Sequence, residues 1–258
     1  MLLAAVQEGH AAGGEVGVLL QHDLGRLTAP LGDVELHLEG ERRLLIPMGV
    51  CDQYGPHLPI GASTLISEGV VESLSREFGI LQAPTFPLGV NLPCEQRFPG
   101  TSGALEKTLH RLLNDALASW EDSGFDEFIL ITAYDHDPHV EALASVSGTR
   151  ARVRVVEVMG IDFSEFLDGE VGPQHGGEVL TSLMLHLRPD KVNLRDARDY
   201  RTTEEGIGAR RIEELPEDSA GIIGQPSLAT AEKGERIFRY ILHKIRERVI
   251  ISPPDPDG

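Results

Sequence analysis

The sequence predicts a single α/β domain built on a mostly parallel sheet. Three observations carry that prediction. Short apolar runs alternate with longer segments of helical spacing. Loops rich in Gly, Pro and polar groups follow the runs, as they do at the carboxyl ends of parallel strands. No internal repeat or long linker divides residues 1–251.

The elements follow in order. RLLIPMGV (43–50) is a short apolar run that reads as a buried strand, feeding the loop CDQYGPHLPIGAS (51–63). Residues 64–78 place Leu65, Ile66, Val70, Val71, Leu74 and Phe78 at helical spacing, with Gly79 as the stop. ILQAPTFPLGV (80–90) resembles a second strand that breaks at Pro87, and the irregular loop 91–103 follows. Residues 104–122 form an amphipathic helix whose core stripe runs through Leu105, Leu109, Leu112, Leu113, Leu117 and Trp120. FILITAY (128–134) is a strand delivering a polar loop, DHDPH (135–139), and RVRVVEV (152–158) is another strand. Loop 172–178 precedes a helix through Met184 and Leu187, closed by Pro189. Residues 194–215 are charged and poorly periodic, which suits surface structure. A last helix spans roughly 229–248 through Ile237, Ile241 and Ile245, and the tail SPPDPDG (252–258) has the composition of a disordered segment.

Composition narrows the partners. The 258 residues are 41% hydrophobic, enough for a core of ordinary size without staples. Asp and Glu number 41 against 23 Lys and Arg, a formal net charge of -18. Binding phosphate backbones or anionic lipid needs concentrated cationic side chains, so nucleic acid and membrane are excluded as main partners. Two cysteines, Cys51 and Cys94, do not make a disulfide framework. With no basic segment ahead of an apolar stretch and no membrane-length run, the expectation is a cytoplasmic protein with reduced thiols.

Polar density concentrates in loops 51–63, 91–103, 135–139 and 172–178. They hold His57, His136, His139 and His175 together with both cysteines. That convergence is the sequence's main pointer to a site.

The same loops carry a family resemblance. IPMGVCDQYGPHLPIGAST (46–64) is similar to P-x-G-S-x-E-Q-H-G-P-H-L-P-x-x-T-D-T of the creatininase (creatinine amidohydrolase) family. CEQRFPGT (94–101) resembles that family's E-H-x-x-F-P-G-T. FILITAYDHDPHVEAL (128–143) stands where the family has an apolar strand followed by N-G-H-G-G-N-x-x-A-L. HGGEVLTSLMLHLRPDKV (175–192) resembles H-A-G-E-x-E-T-S-x-M-L-x-x-x-P-x-x-V. GIIGQPSLATAEKGE (221–235) resembles G-x-x-G-D-P-x-x-A-x-x-x-K-G-E. Five blocks occur in the family's order across most of residues 43–245.

The resemblance implies a three-layer α/β/α sandwich and a homo-oligomer, usually a hexamer. It also implies a two-metal hydrolytic centre acting on small amides, lactams or related C–N bonds. Such a centre bridges a hydroxide, aims it at a carbonyl and stabilises the oxyanion. At the ligand positions, however, this chain departs from the pattern. Asp52 replaces a Glu, Tyr54 a His, Ser63 the bridging Asp and Leu180 a Glu. His136 and Glu95 are retained, while Gln96 replaces the His after Glu95. The surroundings of His136 have become Tyr134, Asp135, Asp137, Pro138 and His139. Scaffold positions such as Gly49, Gly55, Pro56, His57, Pro59, Phe98, Pro99, Gly100 and Thr101 survive. Losses concentrated on metal positions suit a rebuilt pocket better than general decay.

The expected site is therefore as follows. Asp52, His136 and Tyr54 are the candidate catalytic residues, and His57, Ser63, Glu95, His175 and Glu178 the candidate substrate-binding residues. Asp52 and His136 are also the positions that would hold one divalent ion (Zn, Mn or Fe), an arrangement weighed against no metal at all. Each residue type has a plainer alternative. Asp52 suits a loop cap, His57 a hydrogen-bonded core histidine, and Glu178 a favourable charge at a helix N-terminus. The cluster Asp135, His136, Asp137 and His139 suits either a cation or a solvated turn. Cys51 and Cys94 suit a nucleophile or, more commonly, small buried hydrophobes. The leading expectation is a divergent hydrolase of a small-molecule amide. The alternatives are an inactive relative that binds a metabolite or serves as an assembly subunit, and a metal-independent lyase or cyclase in the same pocket.

Overall fold

Strand β1 (Arg43–Met48) is buried from Leu44 onward on both of its faces. In the computed structural model, which describes residues 29–169, 174–201 and 215–251, it pairs in parallel with β2 (Leu81–Gln82) and β3 (Glu127–Thr132). β4 (Arg152–Glu157) pairs in parallel with β3 and completes the order β2-β1-β3-β4. An all-parallel sheet needs cover on both sides, which is why β1 and β3 carry the unbroken apolar runs 44–48 and 128–131 and do not alternate.

Alternate residues divide the core in two. Leu44, Ile46 and Met48 with Phe128 and Leu130 face α3 (Glu106–Asp122) and α4 (Asp137–Ala144) through Leu109, Leu113, Leu117, Ala142 and Leu143. Leu45, Ile129 and Ile131 face α2 (Ala62–Phe78), α5 (Glu178–Leu187) and α6 (Ala231–Ile245) through Val70, Leu74, Leu183, Ile237 and Ile241. The result is the three-layer α/β/α sandwich. Gly79 ends α2 at φ 67, a conformation that costs a glycine no steric penalty. A short helix, α1 (Leu31–Leu38), precedes β1 and contributes no fully buried residue.

Three expectations need correction. The strand over 80–90 is only two residues long, with a further bridge from Met48 to Phe86. Pro84 and Pro87 lack the N–H that a ladder requires, and Pro47 lacks it on the facing strand. The ladder resumes only where Phe86 N donates to Pro47 O at 3.0 Å and Gly49 N to Phe86 O at 2.9 Å. Next, 135–139 is not all loop: α4 begins at Asp137 with His136 as its N-cap. Pro138 sits in the first turn, where its missing N–H has no helical partner to lose. Finally, Leu105 and Leu112 lie outside the core stripe of 105–120, 78% and 52% exposed. The segment 202–214 and the tail 252–258 lie outside the described residues. No described helix is long and apolar enough to cross a membrane.

Candidate functional site

The site forms at the carboxyl ends of β1 and β3, where the sheet turns its polar loops upward. β1 delivers Asp52, Gln53 and Tyr54 into the loop before α2, and Ser63 lies in the first turn of that helix. β3 delivers Tyr134, Asp135 and His136. A 3₁₀ turn, Pro93–Arg97, supplies Glu95, and the segment before α5 supplies His175.

Asp52 is fully buried. Its Oδ1 accepts from Gln53 N at 2.9 Å and, more distantly, from the Thr101 hydroxyl at 3.4 Å. Its Oδ2 accepts from the Tyr134 hydroxyl at 2.9 Å. That hydroxyl in turn accepts from Leu92 N at 3.0 Å. Burial and the neighbouring Asp52 charge hold the Tyr134 phenol well above its ordinary pKa, so it remains a donor.

Glu95 is also fully buried and takes the Gln53 side-chain amide on Oε2 at 2.6 Å. Burial, reinforced by Asp52, pushes its carboxyl up to about 9. Its Oε1 lies 3.0 Å from His175 Nε2 but receives no well-directed hydrogen bond. The reason is that His175 Nε2 faces the Gln53 carbonyl oxygen at 2.8 Å. An oxygen there fixes Nε2 as the protonated nitrogen. Burial lowers the His175 pKa and keeps the ring neutral.

Tyr54 stacks on His175, with ring centroids 4.8 Å apart and an interplanar angle of 22°. Its hydroxyl donates to Ser63 Oγ at 2.8 Å. Gly176 lets the His175 loop lie this close. It has φ 68, and a Cβ there would sit 2.6 Å from the Tyr54 carbonyl oxygen. Tyr54, Tyr134 and His175 line a pocket together with Leu92, Asp135 and Leu180.

The structure thus brings Asp52, Tyr54, Ser63, Glu95 and His175 into one network. His136 is buried nearby, its ring 6.1 Å from that of Tyr134 in an edge-to-face arrangement. His57 stands apart from it, paired through Nε2 to Thr181 Oγ1 at 2.9 Å and pushed down to about 4 by burial. Glu178 is also elsewhere, in a buried ion pair with Lys233 and accepting from Asp168 N at 3.0 Å. That arrangement is the packing role a charged residue at a helix start admits. His139 is a core residue: Nδ1 accepts from Val90 N at 3.2 Å, Nε2 lies 3.1 Å from Thr132 Oγ1, and burial pushes it to about 3. The thiol of Cys51 donates to Gly100 O at 3.3 Å, and burial raises the Cys94 thiol.

Sequence reasoning misses Gln53 as a site residue. Its amide reaches Glu95, Gly221 O at 2.9 Å and, through Oε1, Gly55 N at 2.7 Å. The available signal is its place between the two ligand positions of the signature. Tyr134 enters the sequence reading only as a replacement, yet it joins Asp52 to the pocket. Among the described residues, no three His, Cys, Asp or Glu side chains converge as a metal ion would require.

Comparison with known proteins follows the same outline. The chain is 30% identical over 237 residues to the mycofactocin precursor peptide peptidase of Mycobacterium ulcerans (strain Agy99), covering 83% of this chain and 87% of that protein. The crystal structure of creatinine amidohydrolase (creatininase) superposes with a TM-score of 0.76 at 20% identity, over 90% of this chain and 99% of that one. A mutant creatininase of Zn–Zn type superposes with a TM-score of 0.72 at 22% identity, over 86% and 97%. The creatininase model, described as creatinine amidohydrolase, matches residues 29–249, and the chain belongs to that family.

Proposed function

We propose that the chain hydrolyses an amide bond of a small molecule or short peptide at the pocket between Tyr54, Tyr134 and His175. The observation that carries this reading is the 2.9 Å hydrogen bond from Tyr134, a wall residue, to the buried carboxylate of Asp52. The similarity to a peptidase supports the bond type.

The residues present do not fit a two-ion centre. The Tyr54 hydroxyl and Ser63 satisfy one another where the signature has His and the bridging Asp. Leu180 offers no donor atom, and Asp52 has donors on both oxygens. In this reading side chains alone carry the reaction. Water attacks the substrate carbonyl as Tyr134 takes its proton and passes its own to Asp52. The C–N bond breaks when the proton returns through Tyr134 to the departing amine, leaving an acid and an amine.

A second reading is favoured by the complete burial of Asp52 and Glu95 and by the internal use of both tyrosine hydroxyls. In that reading the pocket binds a ligand without turning it over. One experiment separates the two: purified protein is offered cyclic amides and short peptides with and without a chelator. Chelator-resistant turnover that falls at least tenfold in Tyr134→Phe supports hydrolysis. Ligand-dependent thermal stabilisation without turnover supports binding alone. Two tightly held ions per chain, with chelator-sensitive turnover, would overturn both. We further propose a homo-oligomer, hexameric by family resemblance, which sedimentation equilibrium tests.

A further inference from the structure

One helix presents leucines to solvent. α3 buries Leu109, Leu113 and Leu117 against the sheet, yet Leu112 within it and Leu105 at its start are exposed. Seven residues separate them, close to two whole turns, so both stand on one side of the helix. Ala104 N donates to Gly89 O at 2.8 Å, which brings the segment of a third exposed leucine, Leu88, up to the start of α3. A single exposed leucine needs no account, but a row of them marks an interaction surface.

The charges beside that row suit a copy of the same helix. Arg111 and Asp115, one turn apart, flank Leu112 on its solvent side, and both are exposed. Among the described residues neither makes an ion pair within the chain. A two-fold contact uses the same patch on both partners. With the axis beside Leu112, two α3 helices run antiparallel and Leu112 meets its own copy. Arg111 of one copy and Asp115 of the partner subunit then fall on the same flank, about 3 Å apart along the helix axis. Symmetry repeats the pair. The small side chains of Ala116 and Ser119 stand opposite Thr108 and Leu105, which lets the helices approach. A parallel arrangement puts the two charged flanks on opposite sides of the contact and makes no such pairs. The formal net charge of -18 makes copies of the chain repel in general, so self-association calls for a locally matched face of this kind.

We propose that α3 forms a two-fold interface between two copies of this chain, closed by Leu112 on Leu112 and by two Arg111–Asp115 pairs. The inference rests on the homo-oligomer of the preceding reading and gives it one of its contacts.

Charge exchange decides it, with sedimentation velocity of the full chain as the readout. Arg111→Asp leaves two acids on the flank, and Asp115→Arg leaves two bases. Each variant alone should repel its own copy and raise the dissociation constant of the contact at least tenfold. An equimolar mixture of the two should restore the assembly of the parent, because every acid then faces a base. Leu112→Glu should dissociate the contact as well. All three positions are exposed, so circular dichroism should match the parent. Assembly unchanged in all three variants overturns the interface and leaves the homo-oligomer standing on other contacts. Dissociation of both charge variants without recovery on mixing overturns the facing of Arg111 and Asp115. A parent that stays monomeric throughout the micromolar range overturns the interface and the homo-oligomer together, and would leave the leucine row to a different partner.

Discussion

Tyr54 donates its hydroxyl to Ser63 at 2.8 Å, so the two side chains at signature metal positions satisfy each other's hydrogen-bonding needs. Tyr54→Phe should leave the buried Ser63 oxygen without that donor, at a cost of about 1 kcal/mol in urea unfolding. The triple change Tyr54→His, Ser63→Asp and Leu180→Glu should go further and take up Zn or Mn. Metal content measured beside the parent protein, prepared identically, checks this. Equal metal in both would mean the parent already holds ions with a donor set other than the one described.

Glu178 pairs with Lys233 in the interior, and Lys233 Nζ also donates to Asp168 Oδ2 at 2.7 Å and to Leu228 O at 2.8 Å. Lys233→Met should destabilise the protein by roughly 3–5 kcal/mol, because it removes the cation from a buried carboxylate. Adding Glu178→Leu should recover most of that loss. Recovery of stability together with unchanged ligand binding would assign Glu178 to packing. A double variant that folds normally but no longer binds ligand would return it to the site.

The buried histidines His57 and His139 should make the fold sensitive to acid above the ordinary carboxylate range. His57 is pushed to about 4 and His139 to about 3, each from 6.5, chiefly by burial. Both are neutral in the fold, while the unfolded chain protonates near 6.5. Their contribution is complete above pH 6.5 and is lost as pH falls toward 4. Each unit of difference is worth about 1.4 kcal/mol, while Glu95, pushed up to about 9, works in the opposite sense over the same range, so the histidine decline is read in urea midpoints between pH 7.5 and 5 as the difference between the parent and a histidine variant. His139→Gln should flatten that decline. An unchanged slope would mean that His139 is already protonated in the fold.

Gly176→Ala combines a left-handed backbone with a contact 2.6 Å from the Tyr54 carbonyl oxygen. The expected loss is on the order of 3 kcal/mol, with His175 displaced from its stack on Tyr54. Thermal unfolding and ligand affinity should fall together. A loss of stability with intact affinity would separate the His175 loop from the pocket.

Much of the architecture is readable because β1 and β3 are apolar on both faces and α6 repeats Ile237, Ile241 and Ile245 on one side. Periodicity reports such burial directly. It does not report the shortness of β2, which depends on three prolines on two strands meeting across the ladder. Nor does it report the start of α4, hidden by a proline that helices tolerate only in the first turn. Leu105 and Leu112 keep the helical spacing but point away from the sheet, so spacing alone overstates the core. In the site, residue type and loop position locate Asp52, Tyr54, Ser63, Glu95 and His175. Gln53 and Tyr134 escape because their importance lies in what they connect across the fold, and Glu178 misleads because its partner Lys233 is 55 residues away.

Gln53 holds Gly221 across 168 residues of sequence, Glu95 across 42, and its own loop at Gly55. Three loops that share one side chain cannot fray one at a time. They should open as a single cooperative unit, with the amides of Gly55 and Ile223 exchanging hydrogen at a common rate. The loops joined by Gln53 would then behave as one body, kept whole or lost whole.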